Sequence, residues 1–349
     1  MTQFKKQLFS LVLVAGLLAP AAFAGGKEEA HDLLSKSFQQ TGIWNQGPVK
    51  LVAHVQIPKP NGEKAKLEYT VSWVGPDKWR AEWTADGLDQ VTVLNDGKLS
   101  HFTNQSNPIV RLIEFEAAIA ALDGANPAGP YSFSPLDYQK AKIDVTKKKI
   151  NGADAKCLAF GPPNTTYCID NATGHVLSVD GDLGTFEYMD YAAVGSNAYP
   201  TTVKVSYVNT PMEDAKMTVT RGEKFADALF TAPDGSTTVD FASCADLDKN
   251  FTAPHQGKTV TAKMPDAARK AKKYGMVWVL ASVGKDGSVE KTTVLGGEPE
   301  LSSAATSAVQ QYKFAPYMRC GQAVAFQDVV VVPFAPPPKP PEEANLPTR

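Results

Sequence analysis

Histidine is scarce in this chain, and its five residues, His31, His54, His101, His175 and His255, are scattered. None stands at His-x-x-x-His or His-Glu spacing, so each reads as a surface or strand residue rather than a metal ligand. The G-x-S-x-G elbow, the P-loop and the dinucleotide fingerprint are absent as well. Acid pairs such as Glu28-Glu29 and Glu342-Glu343 are adjacent, which suits solvated charge better than a shared substrate. The expectation is a protein that is not an enzyme, with no catalytic residue, no cofactor and no metal. Charge of one sign is also lacking. With 35 basic and 37 acidic residues the net charge is −2, so no overall field draws in nucleic acid or an anionic membrane. The short basic runs, Lys147-Lys148-Lys149 and Lys270 with Lys272 and Lys273, read as a solvated strand end and a solvated helix face.

Long apolar runs are missing except at 8–18, which is short for a membrane span of about 20 residues. Lys5 and Lys6 precede it, and Pro20 followed by Ala22-Phe23-Ala24 gives a small-x-small cleavage site. A signal peptide over 1–24, cut after Ala24, is expected, with no transmembrane segment in the mature chain; an uncleaved anchor is the alternative. Cysteine is limited to four residues, which fits an oxidising compartment. Cys157 and Cys168 flank a Pro162-Pro163-Asn164 turn, so a hairpin would set them opposite one another and they are expected to pair. Pairing Cys244 with Cys320 would then tie the interdomain segment to the C-terminal unit. Four cysteines allow three connectivities. Zinc is the competing reading, without a C-x-x-C or a close histidine to support it.

The chain is long enough, at 349 residues, for two domains and a substantial core. A helix is predicted over 27–40, with Ala30, Leu33, Leu34, Ser37 and Phe38 near one face and Gly42 beyond its end. From Pro48 the period changes to two. Val49, Leu51, Ala53, Val55 and Ile57 alternate with mostly polar neighbours, and so do Leu67, Tyr69, Val71 and Trp73. Trp79, Ala81 and Trp83 repeat the pattern, and 90–94 and 99–102 continue it across Asn95-Asp96-Gly97. Such alternation marks antiparallel strands with one buried face. A helix over 108–122 interrupts them, with Ile109, Leu112, Ile113, Phe115, Ala118, Ile119 and Leu122 apolar, followed by a Gly/Pro-rich loop at 125–135. Strand signals resume at 141–149, 155–161, 166–170, 176–179, 184–191, 201–209 and 215–222. The expectation over roughly 28–240 is one large curved antiparallel sheet of about ten short strands, a half-barrel, with helices covering its concave side.

Residues 242–264 read as a polar connector. Beyond it, 266–274 is helix-like, and Gly275 suits the left-handed position after a helix. Residues 276–283 and 288–295 form a hairpin across Lys285-Asp286-Gly287. A helix at 298–312 places Leu301, Ala305, Ala308 and Tyr312 on one face, Pro316 stops the pattern, and 324–334 is a long last strand. The Pro-rich tail at 336–349 is expected to be disordered.

The order helix, hairpin, helix, strand resembles the C-terminal domain of the TonB family. The resemblance rests on Gly275 to Leu280, Lys285 to Val289, Leu301 with Ala304 and Ala305, Gln311 to Pro316, Gly321 to Val324, and Val331 to Phe334. It covers about a fifth of the chain and implies a bacterial α/β module, taken here as 265–335, that binds a partner peptide partly by strand pairing and catalyses nothing. Residues 25–241 resemble the periplasmic lipoprotein-carrier class, the LolA/LolB-like half-barrel, through Trp79-Arg80-Ala81-Glu82-Trp83 and Phe230-Thr231-Ala232-Pro233. That resemblance implies an apolar cavity for acyl chains. The fold class is therefore α+β, a curved half-barrel sheet followed by a small α/β module.

Two sets of residues carry the functional reading. Tyr69, Trp73, Trp79 and Trp83 share one parity on neighbouring strands; they are either plain core or the wall of a lipid cavity. Val329, Val330, Val331 and Val332 make both faces of the last strand apolar; it is either an interior strand or an edge that accepts a partner strand. The leading hypothesis is an exported, periplasmic binding protein for an apolar or lipid ligand that docks on an envelope protein, with association to the outer membrane left open. A TonB-type energy transducer is the second. The cleavable N-terminus, the lack of histidine within 8–24 and a Pro-rich segment placed after the module depart from it. The third is a protein-interaction scaffold without a small ligand.

Overall fold

The structure is a computed structural model that describes residues 25–44, 46–59, 61–105, 110–122, 142–161, 165–181, 184–207, 210–244, 256–319 and 322–335. The expected signal peptide, the loop at 125–135, His255 and the Pro-rich tail lie outside them. Among the described residues, no helix is long and apolar enough to cross a membrane.

Helix α1 (Gly25–Thr41) leads into β1 (Val49–Pro58), β2 (Lys64–Gly75), β3 (Lys78–Ala85), β4 (Leu88–Asn95) and β5 (Lys98–Thr103). Helix α2 (Val110–Ala120) precedes β6 (Lys142–Ile150), β7 (Ala153–Gly161), β8 (Thr165–Asp170), β9 (Val176–Gly181), β10 (Gly184–Val194), β11 (Asn197–Tyr207) and β12 (Thr210–Arg221). A 3-10 turn (Asp227–Phe230) and β13 (Thr237–Asp240) complete this part. All thirteen strands form one antiparallel sheet in the order β13-β5-β4-β3-β2-β1-β12-β11-β10-β9-β8-β7-β6. Two meanders, β1–β5 and β6–β12, meet at a seam where β1 pairs with β12 along its length, Val49 opposite Arg221 and Val55 opposite Ala215. The sheet is curved and does not close, since β6 and β13 are its ends.

The expected meander is present, with thirteen strands where about ten were anticipated. The stretch that escaped the reading is β13, which presents Thr237, Thr238, Val239 and Asp240, all exposed and without apolar alternation. Its pairing with β5 is held instead by tertiary contacts, including Ser100 Oγ to Thr238 Oγ1 at 2.8 Å and Lys98 to Asp240. At the other edge β6 is exposed almost throughout, and Lys147, Lys148 and Lys149 blunt it against pairing with another sheet. Pro200 lies inside β11, a central strand, where a ladder donor is lost. On the facing strand the register runs on without a shift, and Asp190, at φ 56°, accepts hydrogen bonds on its backbone and carboxylate from the Thr201 and Thr202 hydroxyls at 2.7 Å each.

One face of the sheet carries the large core. Alternate residues of β1–β3 and β7–β12 point to it, from Val49, Leu51 and Ala53 through Leu158, Ile169, Tyr188 and Val203. Helix α1 contributes Ala30 and Leu34, with Leu33 and Phe38 partly buried, as its periodicity predicts. Helix α2 contributes Leu112, Phe115, Ala118 and Ile119. The opposite face has two satellite clusters, Val91, Val93 and Phe230 at one end and Ala155, Cys157 and Cys168 at the other.

Residues beyond Asp240 continue as α3 (Phe241–Cys244), β14 (Gln256–Lys258), α4 (Asp266–Lys270), β15 (Gly275–Val283), β16 (Val289–Gly297) and α5 (Pro299–Val309). Then come β17 (Lys313–Phe314), β18 (Tyr317–Arg319), β19 (Gln322–Val324) and β20 (Phe326–Phe334). Three of these strands form an antiparallel sheet, β16-β15-β20. Helix α5 packs on it through Leu301, Ala305 and Val309, against Val277, Val279, Ala281 and Val330.

Three local expectations need correction. The helix expected over 266–274 ends at Lys270, and Lys272, not Gly275, takes the left-handed position, at φ 54°. The Lys273 N–H bonds Ala268 O at 2.9 Å and the Lys272 N–H bonds Arg269 O at 3.1 Å, which satisfies the last carbonyls. Gly275 opens β15 instead. The helix expected over 298–312 stops at Val309, because Lys313 and Phe314 leave it to pair with β14. The last strand is split at Ala325, with β19 folded back on β18.

Candidate functional site

Strand geometry sets the aromatic wall. β2 and β3 pair so that Trp73 faces Trp79, Val71 faces Ala81 and Tyr69 faces Trp83. Directly opposed residues share a face, so all four predicted aromatics reach the large core, and each is 4% exposed or less. They separate into two groups. Trp73 meets Trp44 edge-on at 5.5 Å, and its Nε1–H donates to Trp44 O at 2.7 Å. Tyr69 lies 4.6 Å from Trp83, and Phe115 of α2 stands edge-on to both, at 5.8 and 5.5 Å. The Trp83 Nε1–H donates to Glu116 Oε1 at 2.8 Å. Trp79 is buried in the same core.

Three side chains of the large unit bond to α2 or to the turn after it. Besides the Trp83 bond, the Tyr188 hydroxyl donates to Ala118 O at 2.7 Å and the Thr41 hydroxyl donates to Leu122 O at 2.7 Å. Burial pushes the Tyr188 phenol well above its ordinary range, so it stays a neutral donor. Trp44 and Tyr188 were not among the expected site residues. Trp44 follows α1 in a turn with no period to read, and Tyr188 is one alternating aromatic among many. Phe115 was legible as an apolar helix residue, but its position over Tyr69 and Trp83 was not.

The last strand resolves differently. Val330 and Val332 point into the core under α5 together with Phe326 and Phe334. Val329 and Val331 point to the other face, where Val331 packs against the large core. β20 is an end strand of its sheet, beyond β15.

Cys157 and Cys168 are directly opposed on β7 and β8, with Cα atoms 4.0 Å apart, and are disulfide-bonded as expected. Cys320 and the side chain of Cys244 fall outside the described part, so the Cys244–Cys320 pairing does too. Among the described residues, no group of three or more His, Cys, Asp and Glu could hold a metal ion. One polar cluster resembles a nucleophile with its base. Lys313 Nζ lies 2.9 Å from Ser288 Oγ and 3.1 Å from Asp286 Oδ2. The bonds from Ser288 and Lys313 hold the Asp286 carboxyl well below the usual range. Lys313 is thus engaged as a cation in an ion pair, and the Ser288 hydroxyl donates to Asp286. The cluster locks the hairpin turn, in which Gly287 takes φ 81° and a Cβ would stand 2.0 Å from Phe314 O.

The family model of the Gram-negative bacterial TonB protein C-terminal matches residues 260–335. No curated protein matches the chain. Among solved structures, a LolA superfamily protein from Nitrosomonas europaea is similar at 11% identity, over 58% of this chain and 97% of that one, with a TM-score of 0.37. A putative outer membrane lipoprotein-sorting protein domain from Vibrio parahaemolyticus is similar at 13% identity, over 59% and 97%, with a TM-score of 0.38. The MucA/MucB complex of Pseudomonas aeruginosa is similar at 13% identity, over 68% and 67%, with a TM-score of 0.26. The part spanning β15 to β20 lies within this family match and forms a TonB-like module.

Proposed function

We propose that this chain is an exported, non-enzymatic binding protein of the cell envelope. In this reading the large sheet holds an apolar or acyl ligand on its covered face, and the TonB-like module docks on an envelope protein by strand pairing along β20. One observation carries the ligand part: a wall of Tyr69, Trp73, Trp79 and Trp83 is covered next to Trp83 by a single short helix, α2. Apolar walls with a few placed polar groups suit lipid-like ligands, and displacing α2 would uncover Tyr69 and Trp83. The family match and the end position of the valine-rich β20 support the docking part.

Native mass spectrometry of the mature protein from an envelope fraction, before and after organic extraction, tests the ligand. A bound lipid that leaves on extraction is the expected result. Trp83→Gln should weaken its retention, and unchanged retention would remove Trp83 from the wall. A second reading, a protein-interaction scaffold without a small ligand, is favoured by Phe115, which already fills the space over Tyr69 and Trp83. A clean apo mass would select it.

A further inference from the structure

Helix α2 has two hydrophobic sides and two owners. Leu112, Phe115 and Ile119 recur at helical spacing and enter the large core. Ile113, about 100° around the helix from Leu112, belongs instead to the core of the TonB-like module with Val277, Val330 and Val332. From the module's side, Val331 packs back against the large core, and β20 contacts α2. Trp278 is the cross-strand partner of Val331 and so shares its face of the small sheet, which is the face turned away from α5. Apart from Arg111, Glu114 and Glu116 the helix is apolar, and an apolar helix surface needs a cover. The large core takes most of α2, Ala117 included, and the module takes Ile113.

We propose that the TonB-like module clamps α2 onto the large sheet, so that ligand access and the state of the module are coupled through this one helix. The inference rests on the ligand reading above. A ligand that takes the place of Phe115 over Tyr69 and Trp83 must lift α2, which withdraws Ile113 from the module's core and uncovers the Val331 face. Anything that competes for that face loosens α2 in turn, because coupling between two sites is reciprocal.

The test uses the full mature chain with palmitate as the probe, and the variants Ile113→Ala and Val331→Ala. Neither residue is a member of the aromatic wall. Hydrogen exchange of residues 110–120 should rise in both variants without ligand, while exchange over β7–β10 stays unchanged. Palmitate should then bind about fivefold tighter or more, because the clamp no longer opposes it. If protection falls throughout the chain, the variants have lost the fold, and the conservative Ile113→Val takes their place, with the same effects expected in smaller measure. Palmitate binding that is equal in wild type and folded variants would overturn the clamp and leave the ligand reading intact. Absence of palmitate binding in every form would overturn the ligand reading, and the coupling with it.

Discussion

In the thirteen-stranded sheet the face beneath α2 is built from Tyr69, Trp83 and their neighbours, whereas in the three-stranded sheet the face beneath α5 is built from Val277, Val279, Ala281 and Val330. The difference follows from what covers each. Helix α5 sets Leu301, Ala305 and Val309 against a narrow three-stranded sheet. The large sheet is curved, and α1 and α2 cover its core together with large rings. Where rings meet one helix edge-on, as Tyr69 and Trp83 meet Phe115 of α2, moving that helix would uncover them. In the small unit Val and Ala lie beneath α5, and the rings of Phe314, Tyr317 and Phe326 pack on one another. The two units also differ in fastening. The large one has a disulfide between β7 and β8, and the small one has the Asp286–Lys313 turn.

The contrast can be broken most severely at Trp83. Trp83→Ala should cost about 3–5 kcal/mol in chemical denaturation, since it removes a buried ring. Trp83→Phe keeps a ring, loses the bond to Glu116, and should cost about 1–2 kcal/mol. Equal losses for the two would mean that the hydrogen bond, not the ring, holds α2. In the small unit, Gly287→Ala forces a Cβ at positive φ into Phe314 O and should cost about 3 kcal/mol. Exchange protection should then fall in β15–β17 and persist in the large sheet. Loss of protection in both would show that they unfold together.

The smallest expected effect separates the units by pH. Burial against Tyr191, 4.1 Å away in a stack, lowers His175 from its ordinary value, and Asp170 opposes this. The fold therefore favours neutral His175. Its contribution is complete above about pH 6.5, the unfolded value, and is lost as the pH falls through the lowered folded one. Asp286 is lowered as a carboxylate, so its contribution is complete above about pH 4 and is lost only in stronger acid. Denaturation between about pH 5 and pH 7 should weaken the large unit first. His175→Gln should flatten that slope, and Asp286→Asn should leave it unchanged.

Much of this was legible residue by residue. Alternation in Leu67, Tyr69, Val71 and Trp73 put the aromatics on one face, because successive strand side chains point to opposite sides whatever the partner. The turn between Cys157 and Cys168 placed them opposite because a hairpin fixes its own register. The spacing of Leu301, Ala305 and Ala308 gave the buried face of α5. Lys272 in a left-handed helix end was not legible, since the nearby Gly275 carries the stronger local signal.

What the sequence determined by itself was local: which residues form strands, which side of each strand is apolar, and which cysteines share a hairpin. Only the tertiary structure decided that β1 pairs with β12, that β13 caps an edge without a buried residue, and that Phe115 fills the space over Tyr69 and Trp83. It also decided that Ile113 and Leu112, neighbours on one helix, serve two different cores. Periodicity records that a side chain must leave water. Which partner removes it depends on contacts between segments far apart in the chain, and those exist only once the sheet has formed.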